Sequence, residues 1–167
     1  MTRRQLMHYF SILGLAPAAA RAATPAGTVA TPTSPAIEPL RLPDAEWQKR
    51  LSPAQYEVLR RHGTERAGTS TLNNEKRAGA YHCAGCDLPL FTSASKFDSG
   101  TGWPSFFKPM ANAIGTSRDF KLIVPRTEYH CARCDGHQGH VFEDGPRPTG
   151  QRYCNNGVAL KFVPAAA

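Results

Sequence analysis

Several large function classes are excluded by what the sequence lacks. The apolar stretch from Phe10 to Ala20 is too short to cross the roughly 30 Å of a bilayer core as a helix, so stable membrane insertion is not expected. The 20 Lys and Arg residues are scattered and form no stripe, which argues against a nucleic-acid surface. No solenoid-type repeat is visible, and helical periodicity is confined to one short segment. Cysteine is also sparse, with five in 167 residues, and their spacing is unequal: four fall into two C-x-x-C pairs and one stands alone.

What is present begins with "MTRRQLMHYFSILGLAPAAARAATPAG". Paired arginines (Arg3, Arg4), a weakly apolar run and Ala20-Arg21-Ala22 give residues 1–22 the pattern of a twin-arginine-type export signal, with the periplasm as destination. A basic N-terminus that is never cleaved, on a cytoplasmic protein, is the competing reading. Residues 23–43, rich in Pro, Thr and Ala, read as a tether that cannot bury enough apolar surface to order itself. Residues 44–164 form one globular domain with a single small core. Three of the basic residues lie in the first segment, which leaves 17 against 13 acidic ones in the rest.

The helical signals lie in "DAEWQKRLSPAQYEVLRRHGTE". Trp47 and Leu51, then Tyr56 and Leu59, recur at helical spacing; Ser52-Pro53 is a cap followed by proline at the first helical position, and Gly63 closes the segment. After Gly79, short apolar or β-branched runs ("AYHC", "PLFTS", "FKLIVP", "TEYHC", "HVFE", "RYCNN", "VALKFVP") alternate with turn residues. That texture predicts a mainly β body of short antiparallel strands, with the two short helices on its outside.

"YHCAGCD" and "YHCARCD" are nearly identical knuckles, so Cys83, Cys86, Cys131 and Cys134 are the expected ligands of one tetrahedral zinc ion. Four protein ligands leave no open position, so this zinc is structural. Disulfides within or between the pairs remain open, as does a redox C-x-x-C, although Asp87-Leu88-Pro89 is a poor helix start for the latter.

Three further stretches carry chemistry. "KFDSGTGWPSFF" surrounds Trp103 with Gly100, Gly102 and Pro104, with Phe97, Phe106 and Phe107 beside it; it is either a turn whose indole plugs the core or a recess for a small apolar group. "DGHQGHVFED" sets His137 and His140 three apart beside Asp144, as a proton source or substrate-orienting pair. "RYCNNGVAL" places Cys154 near Arg152, a cation that favours the thiolate, and before Asn155 and Asn156. A buried, inert cysteine is the alternative.

These stretches, in this order, resemble the methionine-R-sulfoxide reductase (MsrB) family over about residues 44–164. The resemblance implies two small antiparallel β-sheets with peripheral N-terminal helices and a structural zinc remote from the reaction centre. It implies that Cys154 is the nucleophile, that His140 and His137 are active-site histidines, and that Asn156 lines the site. Trp103, with Phe106, is implied to form the pocket for the substrate's S-methyl group. The expected partners are oxidised methionine in proteins or peptides and an external thiol reductant of thioredoxin-like type, acting on a monomer.

Two departures from the family pattern stand out. Thr101 occupies the position where many members carry a resolving cysteine, which predicts a one-cysteine cycle completed by an external thiol. Asn155 stands where an apolar residue is usual, and Gly157 where serine is usual, with the expectation that Gly157 loosens the loop behind the nucleophile.

Overall fold

The computed structural model describes residues 37–121 and 124–166. The expected export signal and most of the expected tether lie outside the described residues. Residues 37–43, the end of that tether, lie on the body instead of apart from it. The Leu40 N–H donates to the Arg133 carbonyl at 2.6 Å, and Leu40 and Leu42 pack against the core. The packed unit therefore begins before Asp44.

Two short helices open the domain, α1 (Asp44–Arg50) and α2 (Pro53–Arg61). Ser52 and Gln55 form a reciprocal capping box at the start of α2, satisfying donors that the first turn would otherwise leave orphaned. The helix ends one residue earlier than Gly63 suggested: His62 takes the left-handed conformation (φ 56°), and the Gly63 N–H bonds to the Glu57 carbonyl. Trp47, Leu51, Val58 and Leu59 are buried against the strands.

Nine strands follow among the described residues: β1 (Gly79–Cys83), β2 (Pro89–Thr92), β3 (Lys96–Phe97), β4 (Ser105–Phe106), β5 (Ile114–Asp119), β6 (Arg126–Cys131), β7 (His137–Phe142), β8 (Arg152–Asn155) and β9 (Leu160–Pro164). They make two antiparallel sheets, one of order β2-β1-β9 and one of order β3-β4-β8-β7-β6-β5. The mainly β expectation holds, with one correction. Of "FKLIVP", the described residues Phe120, Lys121, Val124 and Pro125 lie outside any strand, between β5 and β6, and Phe120 and Val124 are 72% and 71% exposed. The strand there is the more polar "IGTSRD" before it, paired along its length with β6.

Side-chain alternation divides the larger sheet into two faces. Phe106, Tyr129 and Tyr153 point to the core, where Phe106 stacks on Phe91 of β2 with centroids 4.2 Å apart. Cross-strand pairing puts Ser105, Cys154 and His140 in one row, and Glu128 lies opposite His140. One face therefore carries an aromatic core and the other the polar residues.

Candidate active site

A recess with a cavity volume of about 120 Å³ opens on the polar face, lined by Trp103, Arg126, His140, Phe142, Cys154 and Asn156 among others. That is small beside the roughly 300–1,000 Å³ of pockets for drug-sized ligands. It suits the end of a side chain.

Cys154 is half-buried on β8, directly opposite both Ser105 of β4 and His140 of β7. Burial pushes its thiol pKa up, and the opposing pull of Arg152 and Thr101 does not cancel this. The expectation that Arg152 would favour the thiolate outright is thus corrected. Arg152 is largely committed to Asp144, to which it donates twice at 2.8 Å, and it lies over the Phe142 ring at 4.3 Å.

His140 shares a 2.7 Å hydrogen bond with the Asp119 carboxylate through Nε2. Burial lowers its pKa despite that carboxylate, so the resting imidazole is neutral near pH 7. Asp119 also accepts from the Lys121 backbone N–H and from Arg126, and these bonds, with that of His140, hold its carboxyl far below the usual range.

His137 lies behind His140, ring centroids 5.5 Å apart, and does not line the recess. Tyr129 pairs with Gly139 and His130 with His137, so Gln138 is an extra residue in β7, a bulge that brings two histidines three apart together. His137 is buried and its Nδ1 bonds Glu128 at 2.7 Å; Nδ1 of His62 meets the same oxygen at 2.9 Å. Burial pushes Glu128 upward, but His137 and His62 outweigh it and hold the carboxyl below its ordinary value.

Trp103 is only half-buried, so it does not plug the core. Its Nε1 donates to the Glu65 carbonyl at 3.1 Å. Phe106, in contrast, is fully buried and absent from the recess. It is adjacent to Ser105 on β4, and alternation turns it away from the Cys154 face, so it packs the core and does not line the recess.

The loop behind Cys154 is clamped, contrary to the expectation for Gly157. The N–H groups of Gly157 and Val158 both donate to the Glu65 carboxylate, at 2.6 and 3.0 Å, while Asn156 accepts from the Glu65 N–H and donates to the Gln138 carbonyl. A Cβ at position 157 would collide with the Ser70 hydroxyl, so glycine is what this packing requires. Asn155 is buried but satisfied, accepting from Tyr129 and donating to Gln138 and the Asn156 carbonyl.

Sequence reading missed Asp119, Arg126, Glu128, Glu65, His62 and Thr64. The last three belong to "HGTE", a dense polar run directly after a helix, which was a usable signal; the others announce themselves only through pairing of β5, β6 and β7.

On the other side of the sheet the four remaining cysteines meet. Their sulfurs all lie within 4.8 Å of one another, with Cys83–Cys134 at 3.6 Å and Cys86–Cys131 at 3.4 Å. Four sulfurs about 2.3 Å from one centre would stand about 3.8 Å apart, so the cluster has the size of a tetrahedral thiolate metal site. The two knuckles repeat each other in detail: Asp87 and Asp135 are left-handed (φ 67° and 61°), and their N–H groups return to the carbonyls of Cys83 and Cys131, each at 2.9 Å.

A family model described as the SelR domain matches residues 51–164. Over 120 residues the chain is 58% identical to a "Peptide methionine sulfoxide reductase MsrB" of Pseudomonas putida, covering 71% of this chain and 90% of that one. This chain belongs to the MsrB family. Another MsrB relative, from Agrobacterium fabrum, is 52% identical over 122 residues, covering 72% of this chain and 90% of its own. A chloroplastic relative, "Peptide methionine sulfoxide reductase B1" of Arabidopsis thaliana, is 55% identical over 122 residues, covering 72% of this chain. The match spans 60% of that longer relative's length.

Proposed function

We propose that this protein reduces the R epimer of methionine sulfoxide, carried in proteins or peptides, to methionine. One observation carries the reading: Cys154, His140 and Trp103 converge on a single recess of side-chain size. The substrate's methyl group rests against the Trp103 indole and its oxygen lies toward His140. The resting pair holds one proton, on the Cys154 sulfur. Transfer of that proton to His140 gives thiolate and imidazolium; the thiolate attacks the sulfoxide sulfur while the imidazolium returns the proton to the oxygen. In the resulting adduct the hydroxyl passes from the substrate sulfur to the Cys154 sulfur as the new S–S bond breaks, which leaves Cys154 as a sulfenic acid and the substrate as a thioether. An external thiol then condenses with the sulfenic acid, releasing water, and a second thiol frees Cys154 from the mixed disulfide.

Asp119 orients His140, and Arg126 holds Asp119 in place. Zinc fits the four-cysteine cluster by donor set and size, held by Cys83, Cys86, Cys131 and Cys134; when bound it supplies a crosslink between β1 and β6. The paired arginines and Ala20-Arg21-Ala22 support export to the periplasm by residues 1–22, and Thr101 at the position of the family's resolving cysteine supports an external, thioredoxin-like thiol donor.

The test is an assay of purified protein against both sulfoxide epimers, with zinc measured on the same sample. The R epimer is reduced and the S epimer is not; Cys154→Ser removes the activity with zinc retained. Activity surviving in Cys154→Ser would overturn the mechanism.

A further inference from the structure

Behind the recess, three side chains of metal-ligating type, from three different elements, turn their donor atoms to one point. Nδ1 of His62, at the end of α2, lies 2.9 Å from Oε1 of Glu128 on β6, and Nδ1 of His137 on β7 lies 2.7 Å from the same oxygen. The two nitrogens and the oxygen all fall within 4.8 Å of one another, and the two ring centroids are 5.2 Å apart. None of the three residues lines the recess, and none belongs to the four-cysteine cluster.

Each donor is held in place from behind. His62 sits in a left-handed cap (φ 56°) whose carbonyl accepts from Lys121 Nζ at 3.3 Å. The second oxygen of Glu128 accepts from Ser117 Oγ at 3.4 Å, and His137 is placed by the bulge at Gln138. Side-chain exposure rises from 2% at His137 through 11% at Glu128 to 46% at His62. The group therefore has a buried floor and one side open to solvent.

Protonation and spacing both suit a cation. Burial lowers the pKa of His137 despite Glu128, so its imidazole is neutral, while the two histidines keep Glu128 ionised. An ionised carboxylate only accepts, so both imidazoles carry a hydrogen on Nδ1 in this arrangement. In a neutral imidazole that hydrogen can move to Nε2, which frees the Nδ1 lone pair without changing the charge. Ligands 2.0–2.1 Å from zinc stand about 2.9–3.4 Å apart at octahedral to tetrahedral angles, so the separations from Glu128 need open by only a few tenths of an ångström. Two imidazoles and a carboxylate are donors that zinc accepts, and three protein ligands leave a position for water. The four-cysteine cluster leaves none.

We propose that His62, Glu128 and His137 form a second divalent-metal site at the back of the recess, which takes zinc reversibly with water in its open position. The site does not depend on the reading of Cys154 as the nucleophile.

The experiment titrates zinc into the full chain already holding zinc on its four cysteines, followed by calorimetry and by elemental analysis. A second equivalent binds. His62→Gly and Glu128→Gln each weaken that event by more than about 100-fold, beyond what loss of a partner outside the ligands costs, and leave the first ion in place. Glycine is the residue a left-handed helix cap accepts best, so His62→Gly keeps the fold. Cobalt, which binds such donors less tightly than zinc and leaves the cluster zinc in place, then reports the new ligands. Its d–d bands appear without the sulfur-to-cobalt charge-transfer band that binding at Cys154 would give. No second equivalent in the parent, a second equivalent that survives either variant, or a sulfur band on the added cobalt would overturn the site.

Discussion

Cys83 and Cys154 lie at the two ends of one buried polar thread. Gln138 donates to the Cys83 sulfur and accepts from Asn155, the residue next to Cys154, both at 3.4 Å. Yet the two sulfurs live in opposite surroundings. Cys83 faces three other sulfurs at the end of a β-strand whose turn is copied at Cys131, and hydrogen bonding within the group drives Cys83 and Cys134 up and Cys86 and Cys131 down. Four thiols so close can lose their protons together only to a cation. Among the described residues no sulfur faces Cys154; opposite it stand Ser105 and His140, with an arginine already committed to Asp144 two residues back along the strand. The first arrangement is complete in itself and serves stability. The second is left open on the recess side, where the proposed function puts the chemistry.

The largest effects should separate the two cysteine sets cleanly. Cys154→Ser removes sulfoxide reduction and leaves the melting temperature within a few degrees of the parent, measured by thermal unfolding. Cys131→Ser, or chelation of the metal, does the reverse at root: cooperative unfolding is lost because metal binding and folding are one equilibrium in such sites. A Cys131→Ser protein that melts like the parent would break the comparison.

Phe106 offers the next contrast, since it neighbours the row of Cys154 but faces the other way. Phe106→Ala costs about 3–5 kcal/mol of stability in denaturant unfolding, the usual range for a large buried aromatic. KM for a sulfoxide substrate stays near the parent value in whatever fraction is folded. A specific rise in KM would restore Phe106 to the substrate pocket.

Smaller effects test the clamp behind Cys154. Gly157→Ser forces its side chain into the Ser70 hydroxyl and costs about 1–3 kcal/mol; Ser70→Gly in the same chain recovers most of it. Additive losses would show that the two positions do not share the space.

The pH profile tests the proton pair. His140 titrates below its ordinary value and Cys154 above its own, so the form with one proton between them extends across neutral pH. Below the lower pKa both groups are protonated and no thiolate forms; above the upper one no acid remains. The rate is therefore flat around pH 7–8 and falls on either side. Asp119→Asn removes the carboxylate that supports a charged His140, moving the acid limb to lower pH and reducing the plateau several-fold. An acid limb that moves upward would contradict this.

How much of this was legible beforehand differs between the two regions for a physical reason. Each knuckle is a local object: strand, two cysteines two apart, then an aspartate in a left-handed turn, so spacing alone reveals it. The recess is assembled from strands that are neighbours only after folding. Cys154, His140 and Trp103 stood out because their stretches are dense in unusual residues. Asp119, Arg126 and Glu128 did not, because nothing near them in the chain marks them; β5–β6–β7 pairing alone brings them to His140. Phe106 was misassigned by proximity to Trp103, since adjacency along a strand means opposite faces. Phe120 and Val124 were misread as strand residues because apolar content cannot distinguish a strand from an exposed connection.

The most direct test of the central claim is the mass of the Cys154 peptide after one turnover with R-sulfoxide and no reductant. The account predicts one added oxygen, about 16 Da, on Cys154, with the four cluster cysteines unmodified. A disulfide between Cys154 and any other cysteine of the chain would contradict it.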